Sequence, residues 1–292
     1  MILISQLVYE PIQWLTALID NKEKFTSNQT SLCFHLNSES KYSEYEMRLL
    51  KSRMVLINPE RIRVRAGDGS ILMGHLSNLK FVSKFQTFSH IIFASSNMFW
   101  TRKDIETYVY KYNHSVGLEG VRNGNLHAPR YMRNSTIYKI LSKNYSKELW
   151  SYHEGTFYPT TIVTNFRRFL ETFFSRKEVM EHKYFPEEFW LPTYMLNYEK
   201  SHYHKISRPL CWRIPGPKSN PYDSIVTHKI IDNLSCRYYA IKRVLRNLSF
   251  SPTLRLQNMS SKRCQTKILR EIDDKRNVTL VTGKRLDAVT PF

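Results

Sequence analysis

His90-Ile91-Ile92-Phe93-Ala94-Ser95 is the stretch that decides the fold, because a short apolar run between polar neighbours is typical of a buried central strand. Two similar runs, Leu32–Leu36 and Met54–Ile57, precede it, and Met1–Val8 has the same character. Near-continuous apolar strands of this kind belong to parallel sheets that are covered on both faces. The four runs therefore predict a mostly parallel central sheet.

Helical periodicity separates and follows these runs. Apolar residues recur at helical spacing in Pro11–Ile19 and in Leu72–Phe85, and Thr160–Phe174 has a strong apolar face. After the central strand, Thr101 and Asp104 resemble a capping box that opens a further helix. This alternation predicts an α/β sandwich with a mostly parallel central sheet.

Length and composition set the domain organisation. The 292 residues suffice for one sizeable core, and 41% hydrophobic and 13% aromatic residues exclude a disordered chain. Residues 117–134 and 208–222 are rich in Gly, Asn and Pro and predict irregular segments. We predict one folded domain over residues 1–250 and a basic C-terminal extension over residues 251–292.

The formal net charge of +19 indicates a polyanionic partner. Nucleic acid, anionic lipid headgroups, an acidic glycan and the diphosphate of a nucleotide sugar all fit, and charge alone does not choose among them. The four cysteines are widely spaced without a CxxC pair, which predicts a reduced protein without a zinc site. With no signal peptide or apolar span visible, we predict a cytoplasmic protein that contacts the inner face of an anionic membrane peripherally.

Carboxylates stand among aromatic residues in two stretches, His153–Tyr158 and Phe185–Trp190. Aromatic rings stack on the apolar faces of sugars, and a carboxylate can take a proton from an attacking hydroxyl. Surface acids beside core aromatics would give the same pattern. Because open α/β sheets bind ligands beyond the carboxyl ends of their strands, Ser95-Ser96-Asn97 and the pair His35 and Asn37 are also expected at the site.

Five short motifs lie in one order along the first 200 residues. They are His35-Leu36-Asn37, Val64 to Asn78, Ala94 to Phe99, Glu154 to Tyr158 and Pro186 to Thr193. This order resembles that of the core-2/I-branching β-1,6-N-acetylglucosaminyltransferases and the peptide O-xylosyltransferases. The resemblance is distant and suggests a bacterial or viral member, and Asn37 and Asn97 stand where the family often has Asp.

The resemblance implies a GT-A-like, Rossmann-type α/β sandwich. It also implies an inverting, metal-independent glycosyltransferase that moves a hexosyl, N-acetylhexosaminyl or pentosyl group from a nucleotide sugar, expected to be UDP-linked, to a glycan. It places the general base at Glu188. The acceptor-binding residues expected from it and from the two carboxylate stretches are Asn97, Glu106, His153, Glu154, Tyr158, Glu187 and Trp190. Metal independence agrees with the aspartates, no two of which stand two residues apart.

Without a metal ion, cationic side chains must neutralise the leaving diphosphate. The best candidates are Lys242, Arg243 and Arg246, with His35 and Asn37 as further donor contacts and Arg208 and Arg213 as weaker alternatives. A solvated basic face is the plainer interpretation of this run. Two other functions stay open: a nucleic-acid-binding protein that stacks bases on its aromatic residues, and a non-catalytic glycan-binding module. We prefer the enzyme and expect no nucleic-acid partner.

Overall fold

The structure is a computed structural model of the 292-residue chain. It describes residues 1–115, 136–142, 151, 153–183, 185–199, 206–207, 209–212, 226–228, 231–232, 238–242 and 244–259. The irregular segment predicted at 117–134, most of the one at 208–222, Arg243, Cys236 and Cys264 lie outside these residues.

The described residues alternate between strands and helices for most of their length. The strands are β1 (Ile2–Val8), β2 (Thr30–Leu36), β3 (Leu56–Ile57), β4 (His90–Ser95), β5 (Met98–Trp100), β6 (His114–Ser115), β7 (Phe157–Pro159), β8 (Ile206–Ser207), β9 (Cys211–Trp212) and β10 (Ala240–Lys242). The helices are α1 (Ile12–Phe25), α2 (Glu44–Ser52), α3 (Ser70–Val82), α4 (Ile105–Tyr112), α5 (Thr136–Ser142), α6 (Thr160–Phe173), α7 (Arg176–Glu181), α8 (Pro186–Tyr198) and α9 (Ser251–Asn258).

The central sheet has the strand order β3-β2-β1-β4-β7. β1 pairs in parallel with both β2 and β4, so that Ile4 lies opposite Leu32 on one side and Ile92 on the other. β3 extends the parallel part, and β7 pairs antiparallel with β4. The order 3-2-1-4 is that of the doubly wound, Rossmann-type sheet, which confirms the predicted α/β sandwich with a mostly parallel sheet.

Helices cover both faces of this sheet because its strands bury side chains in both directions. On β1, Ile2 and Ile4 join one apolar core together with Trp14 of α1. Leu3 points the other way and joins a second core with Leu76 of α3 and others from α6 and α8. The alternation along β1 therefore fixes which helices lie on which face.

The predicted strands and helices are present, but the predicted starts of β3 and α4 are wrong. The predicted strand from Met54 shortens to β3, because Met54 takes a left-handed φ of 52° and is 90% exposed. The capping box at Thr101 and Asp104 is wrong: Asp104 has a φ of 69° and its side chain makes no capping hydrogen bond. A residue in the left-handed region cannot adopt the extended backbone that an N-cap acceptor needs.

A smaller sheet brings the late part of the chain back to the carboxyl end of β4. Its order is β5-β10-β9. β10 pairs antiparallel with β5, placing Lys242 opposite Met98, and the Val244 amide donates to the Asn97 carbonyl at 3.1 Å. Residues that are far apart in sequence therefore meet just beyond β4.

Residues 251–258, which begin the predicted C-terminal extension, form α9. Leu256 is fully buried in the core with α1, and Lys24 donates to the Gln257 carbonyl at 3.0 Å. The folded unit thus continues at least through α9, and the extension beyond it stays a prediction. No helix within the described ranges is long and apolar enough to cross a membrane.

Candidate active site

The ligand crevice expected of this sheet lies between β1 and β4, where the strand order reverses. Glu10 follows β1, is 3% exposed, and accepts hydrogen bonds from the Ser96 hydroxyl and the Arg246 guanidinium. Arg246 also donates to Ser96 Oγ at 3.0 Å. Its guanidinium lies 5.0 Å from the ring centroid of Tyr9, which is 54% exposed. The crevice therefore presents a fixed cation beside an open aromatic ring.

Five of the predicted site residues come together next to this crevice. We call them the carboxylate cluster: His153, Glu154, Glu187, Glu188 and Lys242. Glu154 forms an ion pair with Lys242, and its Oε1 lies 3.7 Å from His153 Nε2. The other ring nitrogen, His153 Nδ1, lies 4.0 Å from Glu187 Oε1. Three distant segments of the chain thus build one buried group of acids with a cation at its edge.

The loop that carries His153 and Glu154 is fixed by Gly155. The Gly155 amide donates to the Phe93 carbonyl of β4 at 2.7 Å, and its own carbonyl accepts from the Leu210 amide at 2.8 Å. Gly155 has a φ of 74°, and a Cβ built there would lie 2.5 Å from Cys211. Only glycine tolerates both this positive φ and the close approach of Cys211. Gly155 therefore holds the loop with His153 and Glu154 against the end of β4.

The first turn of α8 positions the other two carboxylates. Phe185 takes a left-handed φ of 57°, and Pro186 opens the helix, where its fixed φ is favourable. The Glu188 carbonyl accepts from the Ser151 amide at 2.9 Å, which ties this turn to the segment before His153. Acidic side chains in a first turn also interact favourably with the helix dipole.

The two adjacent glutamates have different surroundings. The side chain of Glu187 is fully buried, and neither of its carboxyl oxygens has a hydrogen-bond partner among the described residues. Burial raises the pKa of Glu187 well above its usual value, and the neighbouring charge of Glu188 adds to this shift. Burial therefore favours the protonated, neutral form of Glu187. Glu188 is also buried but keeps 8% exposure, more than Glu187, and one of its carboxylate oxygens lies within 4.8 Å of ligand atoms of His153 and Glu154.

The predicted sugar-stacking role of Tyr158 and Trp190 is wrong. Tyr158 is 1% exposed and packs 5.8 Å from Phe93, measured between ring centroids. Trp190 is fully buried and packs 4.7 Å from the His182 ring. Both belong to the second core, so neither ring has a face open to a ligand. The plainer interpretation, acids beside core aromatics, holds for these two residues.

The predicted acceptor-binding role of Glu106 is also wrong, because Glu106 lies at the end of the sheet opposite the crevice. Its Oε1 accepts from the Thr30 hydroxyl at 2.7 Å and from the amide and hydroxyl of Ser27, at the start of β2. Burial alone would raise the pKa of Glu106, but these hydrogen bonds outweigh it and the pKa is lowered. Glu106 therefore holds the α1–β2 connection and is far from the carboxyl ends of the strands.

The two residues predicted to contact the donor at the end of β2, His35 and Asn37, have structural roles instead. His35 is fully buried, and its Nε2 accepts from the Ile62 amide at 2.9 Å. Asn37 is at the expected rim, but its side chain donates to the Val64 carbonyl at 2.9 Å and accepts from the Glu39 amide at 3.1 Å. These contacts leave neither side chain available to a diphosphate. His35 shares the side-chain direction of Cys33 and faces α3 rather than the crevice.

Asn97 lies where it was predicted, at the rim beyond β4. Its Oδ1 accepts from the Ser95 hydroxyl at 3.0 Å, and its side chain is half-buried. The sequence reasoning missed Glu10 and Tyr9, which hold and flank Arg246. Both residues could have been found from their position, because they directly follow β1, the strand that pairs with β4 at the crevice.

Two buried histidines predict a loss of stability in acid. Burial lowers the pKa of His35 to about 4 and that of His75 to about 3. On acidification the unfolded chain, with histidine pKa values near 6.5, takes up protons first, so the stabilisation is present above that pH and is lost as the pH falls toward 4. Each histidine should cost about 2 kcal/mol of unfolding free energy between about pH 7 and about pH 5.

Denaturant unfolding at several pH values measures this loss. His35→Gln should reduce the loss between about pH 7 and about pH 5 by about 2 kcal/mol, because Gln does not titrate. A slope in His35→Gln equal to that of the unmodified chain would contradict the assignment.

The carboxylate cluster also contains a set of metal-ligand types. One ligand atom each from His153, Glu154 and Glu188 lies within 4.8 Å of the others. Imidazole and carboxylate groups suit Zn²⁺ and Mn²⁺. The ammonium of Lys242 already pairs with Glu154, however, so a metal ion would compete with this cation for the same oxygen.

Comparison with known proteins gives only remote likenesses. No family model and no curated protein matches the chain. Among solved structures, it resembles S. aureus TarS at 10% identity over 56% of this chain and 29% of TarS, with a TM-score of 0.33. For TarS 1-349 the identity is 13% over 67% of this chain and 55% of the other, with a TM-score of 0.37.

The same TarS fragment in complex with UDP gives 12% identity over 56% of this chain and 48% of the other, with a TM-score of 0.33. The chain thus spans between 29% and 55% of the length of these structures. TM-scores below 0.5 do not establish a shared fold, so the functional assignment rests on the geometry of the crevice and the carboxylate cluster.

Proposed function

We propose that this chain is a GT-A-like glycosyltransferase that moves a sugar from a nucleotide-sugar donor to a hydroxyl of a glycan, with inversion and without a metal ion. One observation carries the proposal. Glu188, Glu154, His153 and Lys242 converge from three distant segments beside the β1–β4 crevice, where sheets of this order bind ligands. A buried carboxylate beside fixed cations is the arrangement that transfer from a diphosphate requires.

Glu188 acts as the general base. It takes the proton of the acceptor hydroxyl while that oxygen attacks the anomeric carbon from the face opposite the nucleotide. The bond between the anomeric carbon and the diphosphate oxygen breaks, and its electron pair leaves with the diphosphate. The proton stays on Glu188 until solvent removes it. His153, 3.7 Å from Glu154 and 4.0 Å from Glu187, holds the acids around the acceptor position.

Lys242 and Arg246 neutralise the leaving diphosphate. Lys242 is held by Glu154, and Arg246 is held by Glu10 and Ser96, so both cations are fixed before the donor binds. Preorganised charges of this kind stabilise developing negative charge without reorganisation during the reaction. Tyr9, open and next to Arg246, is the ring on which the base of the nucleotide stacks.

The cations also support metal independence. In many transferases a metal ion bridges donor phosphates and protein carboxylates, and here Lys242 lies on the carboxylate that would coordinate it. The nucleotide UDP, a glycan acceptor, and the cytoplasmic location remain predictions. A nucleic-acid-binding role has less support, because Tyr158 and Trp190, two of the aromatic residues in question, are buried.

A donor panel tests the proposed function. We expect one class among UDP-, GDP-, CMP- and dTDP-sugars to stabilise the chain by about 2.7 kcal/mol at a concentration of about 100 times its Kd, equally with chelator and with Mn²⁺. Arg246→Gln should remove this thermal shift. Arg255→Gln is the matched control, since Arg255 is an arginine of α9 that pairs with Asp232 away from the crevice.

Two results would contradict the proposal. One is the absence of stabilisation by any donor, together with nucleic-acid affinity that falls steeply with salt. The other is stabilisation that requires Mn²⁺ and disappears with chelator, which would overturn metal independence while keeping the transferase.

A further inference from the structure

A second concave surface lies away from the crevice, between α3 and the α6–α7 segment. We call it the groove face. Its cavity has a volume of about 230 Å³. The floor is apolar and the rim is charged: the floor residues are Met73, Leu76, Phe81, Leu170, Phe174 and Val179, and the rim cations are Lys80, Lys84, Arg167 and Arg176. An apolar floor under a cationic rim is suited to a ligand with an apolar part and an anionic part.

The positive charge at the rim is only partly compensated. Arg167 pairs with Glu171 at 2.9 Å, and Arg176 pairs with Glu60. Lys80 lies in the last turn of α3 and Lys84 in the turn that follows it; both are exposed, and neither forms an ion pair with any residue in the described ranges. Lys80 and Lys84 therefore give this rim its net positive charge and face the solvent together.

Two large exposed aromatic residues lie next to floor residues of the groove. Phe85 is 70% exposed, and its ring centroid lies 5.2 Å from that of Phe81 on the floor. Phe173 is 53% exposed and lies 6.4 Å from Phe174, also on the floor. Two open phenylalanine rings beside one apolar cavity form a patch of the kind that marks an interaction surface.

We propose that the groove face docks on a membrane that contains anionic phospholipid. Lysines next to exposed phenylalanines match the interfacial region of a bilayer, where phosphate groups lie just outside the apolar boundary. Lys80 and Lys84 pair with lipid phosphates, Phe85 and Phe173 enter the interface, and the apolar floor receives the part of a lipid next to its headgroup. A protein partner would need acidic side chains and an apolar ridge placed to match this groove. A bilayer presents anionic phosphates and an apolar region at every point of its surface.

The proposal does not depend on the transferase. The groove face is built from α3, α6 and α7, while the crevice is built from the ends of β1 and β4 and from β10. Donor binding measured with the same variants therefore separates the two: failure of membrane docking leaves donor-induced stabilisation intact, and failure of the transferase leaves docking intact.

Vesicle co-sedimentation with the full chain tests the docking surface. We expect binding to vesicles of phosphatidylglycerol and phosphatidylcholine and much weaker binding to phosphatidylcholine alone. The double variant Lys80→Gln/Lys84→Gln should lower the partition coefficient about 25-fold, about fivefold for each lysine. Phe85→Ser should lower it about tenfold. The changed side chains are exposed, so the thermal unfolding temperature should stay constant.

Matched controls come from α2. Lys51→Gln and Tyr45→Ser change an exposed lysine and a 68% exposed aromatic residue on a different element, and each should alter partition less than twofold. The basic residues beyond 260 are the same in every variant, so their contribution cancels. The proposal is overturned if the unmodified chain does not bind anionic vesicles, or if the groove variants bind them as tightly as the α2 controls do.

Discussion

Glu188→Gln is expected to lower the turnover number for sugar transfer about 10³-fold and to leave donor affinity unchanged. The amide keeps the size of the side chain and its place in the first turn of α8, but it cannot accept the acceptor proton at neutral pH. Removal of a general base typically costs 10²- to 10⁴-fold in rate. Steady-state kinetics give the turnover number, and donor-induced thermal stabilisation gives the affinity.

The adjacent residue provides the control. Burial raises the pKa of Glu187 well above its usual value, which favours its neutral form, and the amide in Glu187→Gln resembles that form in size and charge. We expect this variant to lose less than about tenfold in turnover, against about 10³-fold for its neighbour. Equal losses in the two variants would mean that the turn is perturbed as a whole, and unchanged turnover in Glu188→Gln would remove the base assignment.

The sequence predicted the sheet because buried parallel strands have a distinctive pattern. His90 to Ser95 and its two shorter counterparts are apolar on both faces, and the structure places all of them in one parallel sheet. The short edge strand β3 was predicted to begin too early, at Met54. The left-handed backbone conformation of Met54 cannot be recognised within an apolar run of sequence. Pairing of β10 with β5 was not predictable, since it joins residues about 140 positions apart through a three-residue strand.

The carboxylates of the cluster were selected because they stand among aromatic residues, and Lys242 because it stands in a basic run. The structure brings these charged residues together, but the aromatic residues Tyr158 and Trp190 are buried. An acid next to an aromatic ring arises equally when a helix enters the core, as Trp190 shows beside Glu188. His35 failed for a different reason, because strand alternation points it toward α3 and not along the strand to the rim. Glu10 was missed although it directly follows β1, because its role depends on Arg246, which lies 236 residues later.

The ion pair of Lys242 and Glu154 gives the second large effect, in stability as well as in activity. Lys242→Met leaves the Glu154 carboxylate buried, at 7% exposure, without its cation. Removing one partner of a buried pair typically costs 3–5 kcal/mol, so we expect a loss of about 4 kcal/mol in unfolding free energy. Denaturant unfolding measures it, and the exposed surface pair Arg48–Glu44 provides a control in which Arg48→Met should cost little.

The double variant Lys242→Met/Glu154→Gln separates structure from catalysis. Without a buried charge to compensate, it should recover most of the lost unfolding free energy, since replacing both partners removes the desolvation cost as well as the attraction. Transfer should nevertheless remain reduced about 10²- to 10³-fold, because the diphosphate has lost one of its two fixed cations. Turnover that recovers together with stability would show that Lys242 serves only to neutralise Glu154, and the leaving group would then depend on Arg246 alone among the described candidates.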